Sequence, residues 1–93
     1  MEKLAFYLYV SGKARSSEIA IQTVKSFIAE EVGSDCDLFI FDISEDPYLA
    51  EAAKILVTPT LIKENSEKSI RVVGNFNNRR KLLESFELEK VYG

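Results

Sequence analysis

Leu4, Phe6, Leu8 and Val10 alternate with Ala5, Tyr7 and Tyr9 up to Ser11-Gly12. A period of two in residues that favour extended backbone predicts a first strand. The period then changes. Ala20, Val24, Phe27 and Ile28 recur at helical spacing until Gly33, with Ser16 or Ser17 placed to cap the helix and Glu18 in its first turn. Leu38-Phe39-Ile40-Phe41 runs apolar on both faces between Asp37 and Asp42, which predicts a second strand covered on both sides and central in its sheet. Asp46-Pro47 opens a second helix, because the carboxylate accepts from free backbone N–H groups and proline has its φ already set. Leu49, Ala50, Ala53 and Leu56 form that helix's apolar face. Pro59 forbids its continuation and drives Thr58 towards an extended conformation, making Thr60-Leu61-Ile62 a third strand. Glu64 to Lys68 reads as a turn and Ile70, Val72 and Val73 as a fourth strand ending at Gly74. Asn77 or Asn78 then caps a last helix carrying Leu82, Leu83 and Phe86.

The order β-α-β-α-β-β-α predicts one α/β domain over residues 1–93, a mixed four-stranded sheet with three helices. Right-handed crossovers set the first two strands parallel, and the short turn makes the last two an antiparallel hairpin. This arrangement is thioredoxin-like. Thr58-Pro59 stands where such folds carry a cis proline facing the start of the first helix.

Composition narrows the chemistry. With 93 residues, 46% of them apolar, and 12 basic against 15 acidic side chains, the chain has room for one core and no basic footprint for nucleic acid. No apolar run approaches the roughly 20 residues of a bilayer span, and the N-terminus has no leader pattern, so a cytoplasmic, membrane-free protein is expected. Histidine is absent and Cys36 is the single cysteine, which excludes an internal disulfide, a histidine-based triad and the usual zinc sites. The glycines stand too far apart for a phosphate-binding loop. Where a thioredoxin carries its cysteine pair, this chain reads Gly12-Lys13-Ala14-Arg15-Ser16-Ser17, so dithiol exchange and any enzymatic role or cofactor are not expected. Cys36 belongs to the opposite end of the sheet, between Asp35 and Asp37. Asp42, Glu45 and Asp46 read as strand-end and cap residues. Tyr7 and Tyr9, pointing away from Leu8, read as half-buried cover on the sheet.

Leu8-Tyr9-Val10-Ser11-Gly12, the stretch from Asp42 to Glu51, Lys54-Ile55-Leu56-Val57-Thr58-Pro59-Thr60-Leu61 and Gly74-Asn75-Phe76-Asn77-Asn78-Arg79 together resemble the KaiB family over nearly the whole chain. The resemblance implies a non-enzymatic circadian clock component. Such a protein binds the hexameric ATPase KaiC, captures KaiA and competes with the thioredoxin-like sensor domain of the kinase SasA. It also implies fold switching between a thioredoxin-like monomer that binds partners and a tetrameric ground state of order β-α-β-β-α-α-β. Lys54, Arg71 and Lys63 are then the candidate partner contacts, and Thr58, Pro59 and Gly74 the conformational positions. Helix formers from Arg79 to Glu89 favour the thioredoxin-like state. The alternative function is a thioredoxin-like adaptor or sensor module outside a clock, without redox activity.

Overall fold

The computed structural model describes residues 4–88. Its elements are β1 (Leu4–Val10), α1 (Arg15–Phe27), β2 (Cys36–Asp42), α2 (Pro47–Ala53), β3 (Thr60–Glu64), β4 (Ser69–Val73) and α3 (Arg79–Ser85). The four strands form one sheet in the order β2-β1-β3-β4. β1 runs parallel to β2, with Leu4 opposite Cys36 and Val10 opposite Asp42, and antiparallel to β3, with Tyr7 opposite Ile62. β3 and β4 form the expected hairpin.

Alternation along β1 sorts the core. Phe6, Leu8 and Val10 point to one face, where they pack with Ala20, Val24 and Phe27 of α1 and Leu82 and Phe86 at α3. Phe6 and Phe86 meet edge to face at 5.7 Å, an arrangement that aligns ring edge with ring face. On the other face Tyr9 and Ile62 pack with Ile55 and the short helix α2. The larger core therefore lies under α1 and α3.

Three expectations are corrected. β2 is an edge strand, not a central one, because β1 takes β3 as its second neighbour. A run apolar on both faces reports what lies above and below a strand, not what lies beside it, and here even that cover is partial: Phe39 is 43% and Ile40 37% exposed. The N-cap of α1 is Ala14, without a side-chain cap; the Ser17 hydroxyl instead donates to the Ser11 carbonyl at 3.1 Å. α2 stops at Ala53, so Leu56 lies beyond it and Ile55 supplies the buried contact. The caps at Asp46 and Asn78 form as expected, accepting from the N–H groups of Tyr48 and Lys81. α1 continues through a π-helical turn, Ile28–Val32, to Gly33 at φ 94°. Arg79 ties the start of α3 to the end of α1 through Glu30 and the Ser26 hydroxyl.

The Thr58–Pro59 peptide is cis. Gly74 closes against it, its N–H donating to the Pro59 carbonyl at 2.7 Å. A β-carbon at Gly74 would lie 2.8 Å from Pro59 Cδ and 2.9 Å from that carbonyl oxygen, closer than carbon atoms tolerate. Substituting Gly74→Ala is therefore expected to destabilise the protein by about 1–3 kcal/mol through overpacking, read as a lower urea midpoint with unchanged slope; an unchanged midpoint would show that the loop yields freely.

Candidate functional site

The loop that carries the chemistry in a thioredoxin is here built around one carboxylate. Asp42 Oδ1 accepts from Gly12 N at 2.8 Å, Ser44 N at 2.9 Å and Ser44 Oγ at 2.6 Å. The Ser44 hydroxyl first, and then the two backbone donors, hold its carboxyl below the ordinary 3.8. Asp42 thus fastens the end of β2 to the β1–α1 loop. Asp46 is committed to Tyr48 N at 3.1 Å, so these acids do not converge on a common ligand. Cys36 sits at the other end of β2, as expected, its thiol 3.6 Å from the Gly33 carbonyl. Burial, then Asp37 and Asp35, push that thiol up, away from the thiolate form that reacts.

The three candidate cations, Lys54, Arg71 and Lys63, have unlike environments. α2 and α3 both end in a Schellman motif, in which one residue turns left-handed and its successor's N–H reaches back five residues. In α2 the left-handed residue is Lys54 at φ 55°, with Ile55 N donating to the Ala50 carbonyl at 2.8 Å. In α3 it is Glu87 at φ 58°, with Leu88 N donating to the Leu83 carbonyl at 2.8 Å. Glycine is the residue that accepts this conformation without steric cost, and neither helix has one there. Each end is finished by a cation from the β3–β4 hairpin. Arg71 donates to the carbonyls of Ala53 at 2.9 Å and Lys54 at 3.1 Å. Lys63, only 4% exposed, donates from Nζ to the Phe86 carbonyl at 2.5 Å. Alternation places Arg71 on the α2 face and Lys63 on the α3 face. Of the three, the Lys54 side chain alone stands in solvent without an inward partner among the described contacts.

The most exposed apolar group lies next to Lys54. Leu56 is 93% and Val57 49% exposed in the loop between α2 and β3, and Val73, just before Gly74, is 56% exposed. The loop is held open by local bonds: Thr60 Oγ1 donates to the Val57 carbonyl at 2.6 Å. Beside it Ile19, Pro59, Gly74 and Phe76 line a cleft of about 230 Å3. The sequence reading assigned Leu56 to the inner face of the second helix and so missed this apex. The signal was present in Ile55, which competes for the same buried place, and in Pro59, too near to allow another helical turn.

Residues 7–87 match the KaiB domain family. Circadian clock protein KaiB3 of Synechocystis is 35% identical over 83 residues, spanning 89% of this chain and 81% of the relative. Among solved structures, the N-terminal domain of Synechococcus elongatus SasA superposes with a TM-score of 0.69 at 19% identity, covering 100% of this chain and 91% of that domain. The Drosophila melanogaster thioredoxin Deadhead superposes with a TM-score of 0.68 at 20% identity, covering 91% and 79%. At these identities the structural likeness establishes the thioredoxin-like fold.

Two outcomes follow for the helix ends. Substituting Lys63→Met leaves the buried Phe86 carbonyl unpaired, which costs about 1–3 kcal/mol; amide exchange in α3 is expected to accelerate more than exchange in α1, and uniform acceleration would refute a local role. Substituting Lys54→Gly removes left-handed strain at a price in unfolded-state entropy. The net effect expected is a gain of about 0.5–1 kcal/mol in urea unfolding, and a loss would show that the lysine stem contributes packing instead.

Proposed function

The chain belongs to the KaiB family, and from that premise we propose that it is a non-enzymatic regulator that docks on a KaiC-type hexameric ATPase as a thioredoxin-like monomer, where it recruits KaiA or displaces a SasA-type kinase. The docking surface in this reading is the apex formed by Leu56, Val57 and Val73 around the Pro59–Gly74 contact, with Lys54 as its charged rim. The observation that carries it is the side chain of Leu56, almost wholly exposed on a loop whose neighbours Ile55 and Thr60 are buried. A large apolar residue held out of the core by local hydrogen bonds has the character of an interface anchor. Lys54 keeps a strained conformation beside it, and backbone strain of this kind concentrates at binding sites. Its ammonium group complements an acidic patch on the ATPase, while Arg71 and Lys63 serve the surface indirectly by fixing the helix ends. Thr58, Pro59 and Gly74 set the shape of the loop and are its conformational positions.

Binding to a purified KaiC-type ATPase hexamer tests the assignment. Both Leu56→Glu and Lys54→Glu are expected to leave the circular dichroism spectrum unchanged. Loss of the apolar anchor weakens binding about tenfold or more, and reversal of the rim charge weakens it less and in a salt-dependent way. Wild-type affinity in the Leu56→Glu variant would remove the apex from the interface, and no binding by the wild-type chain would remove the ATPase as its partner.

A further inference from the structure

A short helix on a longer sheet leaves part of one face open. α2 has seven residues and rises about 10 Å, whereas the seven residues of β1 extend about 23 Å. The helix and Ile55 cover Tyr9 and Ile62. Where it stops, at Ala53, a cleft of about 420 Å3 remains, within the roughly 300–1,000 Å3 of small-molecule sites. Strand alternation sets what lines it. Tyr7 of β1 stands opposite Ile62 of β3, which stands opposite Arg71 of β4, and the next pair on that face of the hairpin is Glu64 with Ser69.

The polar groups around this cleft are not spent on one another. Diagonal neighbours on adjacent strands lie about 7–8 Å apart, within reach of long side chains, yet Arg71 and Glu64 form no ion pair among the described residues. Arg71 turns instead to the carbonyls of Ala53 and Lys54, which leaves more than half of its N–H donors unused. The Glu64 carboxylate and the hydroxyls of Tyr7, Tyr9 and Ser69 have no hydrogen bond among the described residues. Both charges nevertheless act on one point. Burial raises the Tyr9 hydroxyl above the ordinary 10.0, Tyr7 adds to this, Arg71 opposes it and Glu64 adds again. A cation and an anion held apart across a cleft, with an aromatic and an aliphatic side chain between them, complement a molecule that carries one charge of each sign.

We propose that this cleft binds a dipeptide with both termini free, its carboxylate on the remaining N–H donors of Arg71, its ammonium group on Glu64 and the Ser69 hydroxyl, and its side chains against Tyr7 and Ile62. The length follows from reach. Two extended residues span about 7 Å, which matches the diagonal interval of about 7–8 Å between Arg71 and Glu64, whereas a single amino acid carries both charges on one carbon atom. The cleft borders Lys54 but neither Leu56 nor Val57, and it stands on its own whether or not the apex binds an ATPase.

The probe is the dipeptide Ala-Leu, titrated into the full chain and followed by NMR, with acetyl-Ala-Leu and Ala-Leu-amide as counterparts that each lack one charge. Saturable shifts are expected at Tyr7, Ile62, Glu64, Ser69 and Arg71. Each blocked peptide and free leucine bind about tenfold more weakly, and about 0.5 M NaCl weakens the free dipeptide. In Glu64→Gln the free dipeptide falls about tenfold, to the level of acetyl-Ala-Leu, because the partner of the ammonium group is gone. Arg71 also fixes the end of α2, so its part is read from Ala-Leu-amide on the wild-type chain. Leu56→Glu leaves binding unchanged, which separates the cleft from the apex. Equal affinity for the free and blocked peptides, leucine binding as well as the dipeptide, or wild-type affinity in Glu64→Gln would overturn the proposal. So would shifts centred on Leu56 and Val57, or no saturable shift up to about 10 mM peptide.

Discussion

The ends of two helices depend on two cations carried by one hairpin. α2 and α3 lie on opposite faces of the sheet, both stop in a left-handed residue that is not glycine, and both leave carbonyl groups that the helix itself does not satisfy. Arg71 and Lys63 reach those carbonyls from successive, oppositely facing register pairs of β3 and β4. A positive charge at a helix C-terminus opposes the negative end of the helix dipole as well as supplying donors. The hairpin thereby fixes where each helix stops. Where α2 stops decides that Ile55 turns inward and Leu56 outward; where α3 stops sets Phe86 against Phe6 in the main core.

Most of the element order was legible because it rests on local signals. Period-two alternation in β1, the Asp46-Pro47 cap, the proline before β3 and the cap at Asn78 each act within a few residues, and each element stands where those signals place it. The position of β2 was not legible, since Leu38 to Phe41 would read alike in a central strand and in an edge strand with partial cover on both faces. Nor were the roles of Lys63 and Arg71. A lysine in an alternating strand looks solvent-facing until the fold brings a helix end over it, and Phe86 lies 23 residues away along the chain. The segment from Lys54 to Pro59 stands out in the sequence through its resemblance to KaiB and not through periodicity.

The surface divides into regions of different character. At the end of the sheet where β1 leads into α1, the chemistry of a thioredoxin is replaced by hydrogen bonds that fasten loops to Asp42. The neighbouring apex is apolar with a basic rim, while β2 at the sheet edge carries the half-exposed Phe39. The single thiol lies at the far end of β2, its pKa raised by burial and then by Asp37 and Asp35.

The place of β1 in the sheet has a bearing on how the protein is made. Of the four described strands β1 leaves the ribosome first, yet it pairs with β2 on one side and with β3, which begins at Thr60, on the other. At synthesis rates of about 5–20 residues per second, the interval between Leu4 and Glu64 is about 3–12 s. During that time the alternating apolar face of β1 has no complete sheet to enter. Parallel pairing with β2 becomes available first, and the antiparallel neighbour only once β3, Thr60–Glu64, has been translated. The sheet is therefore incomplete until β3 and β4 emerge, and the hairpin that fixes the helix ends also closes the sheet.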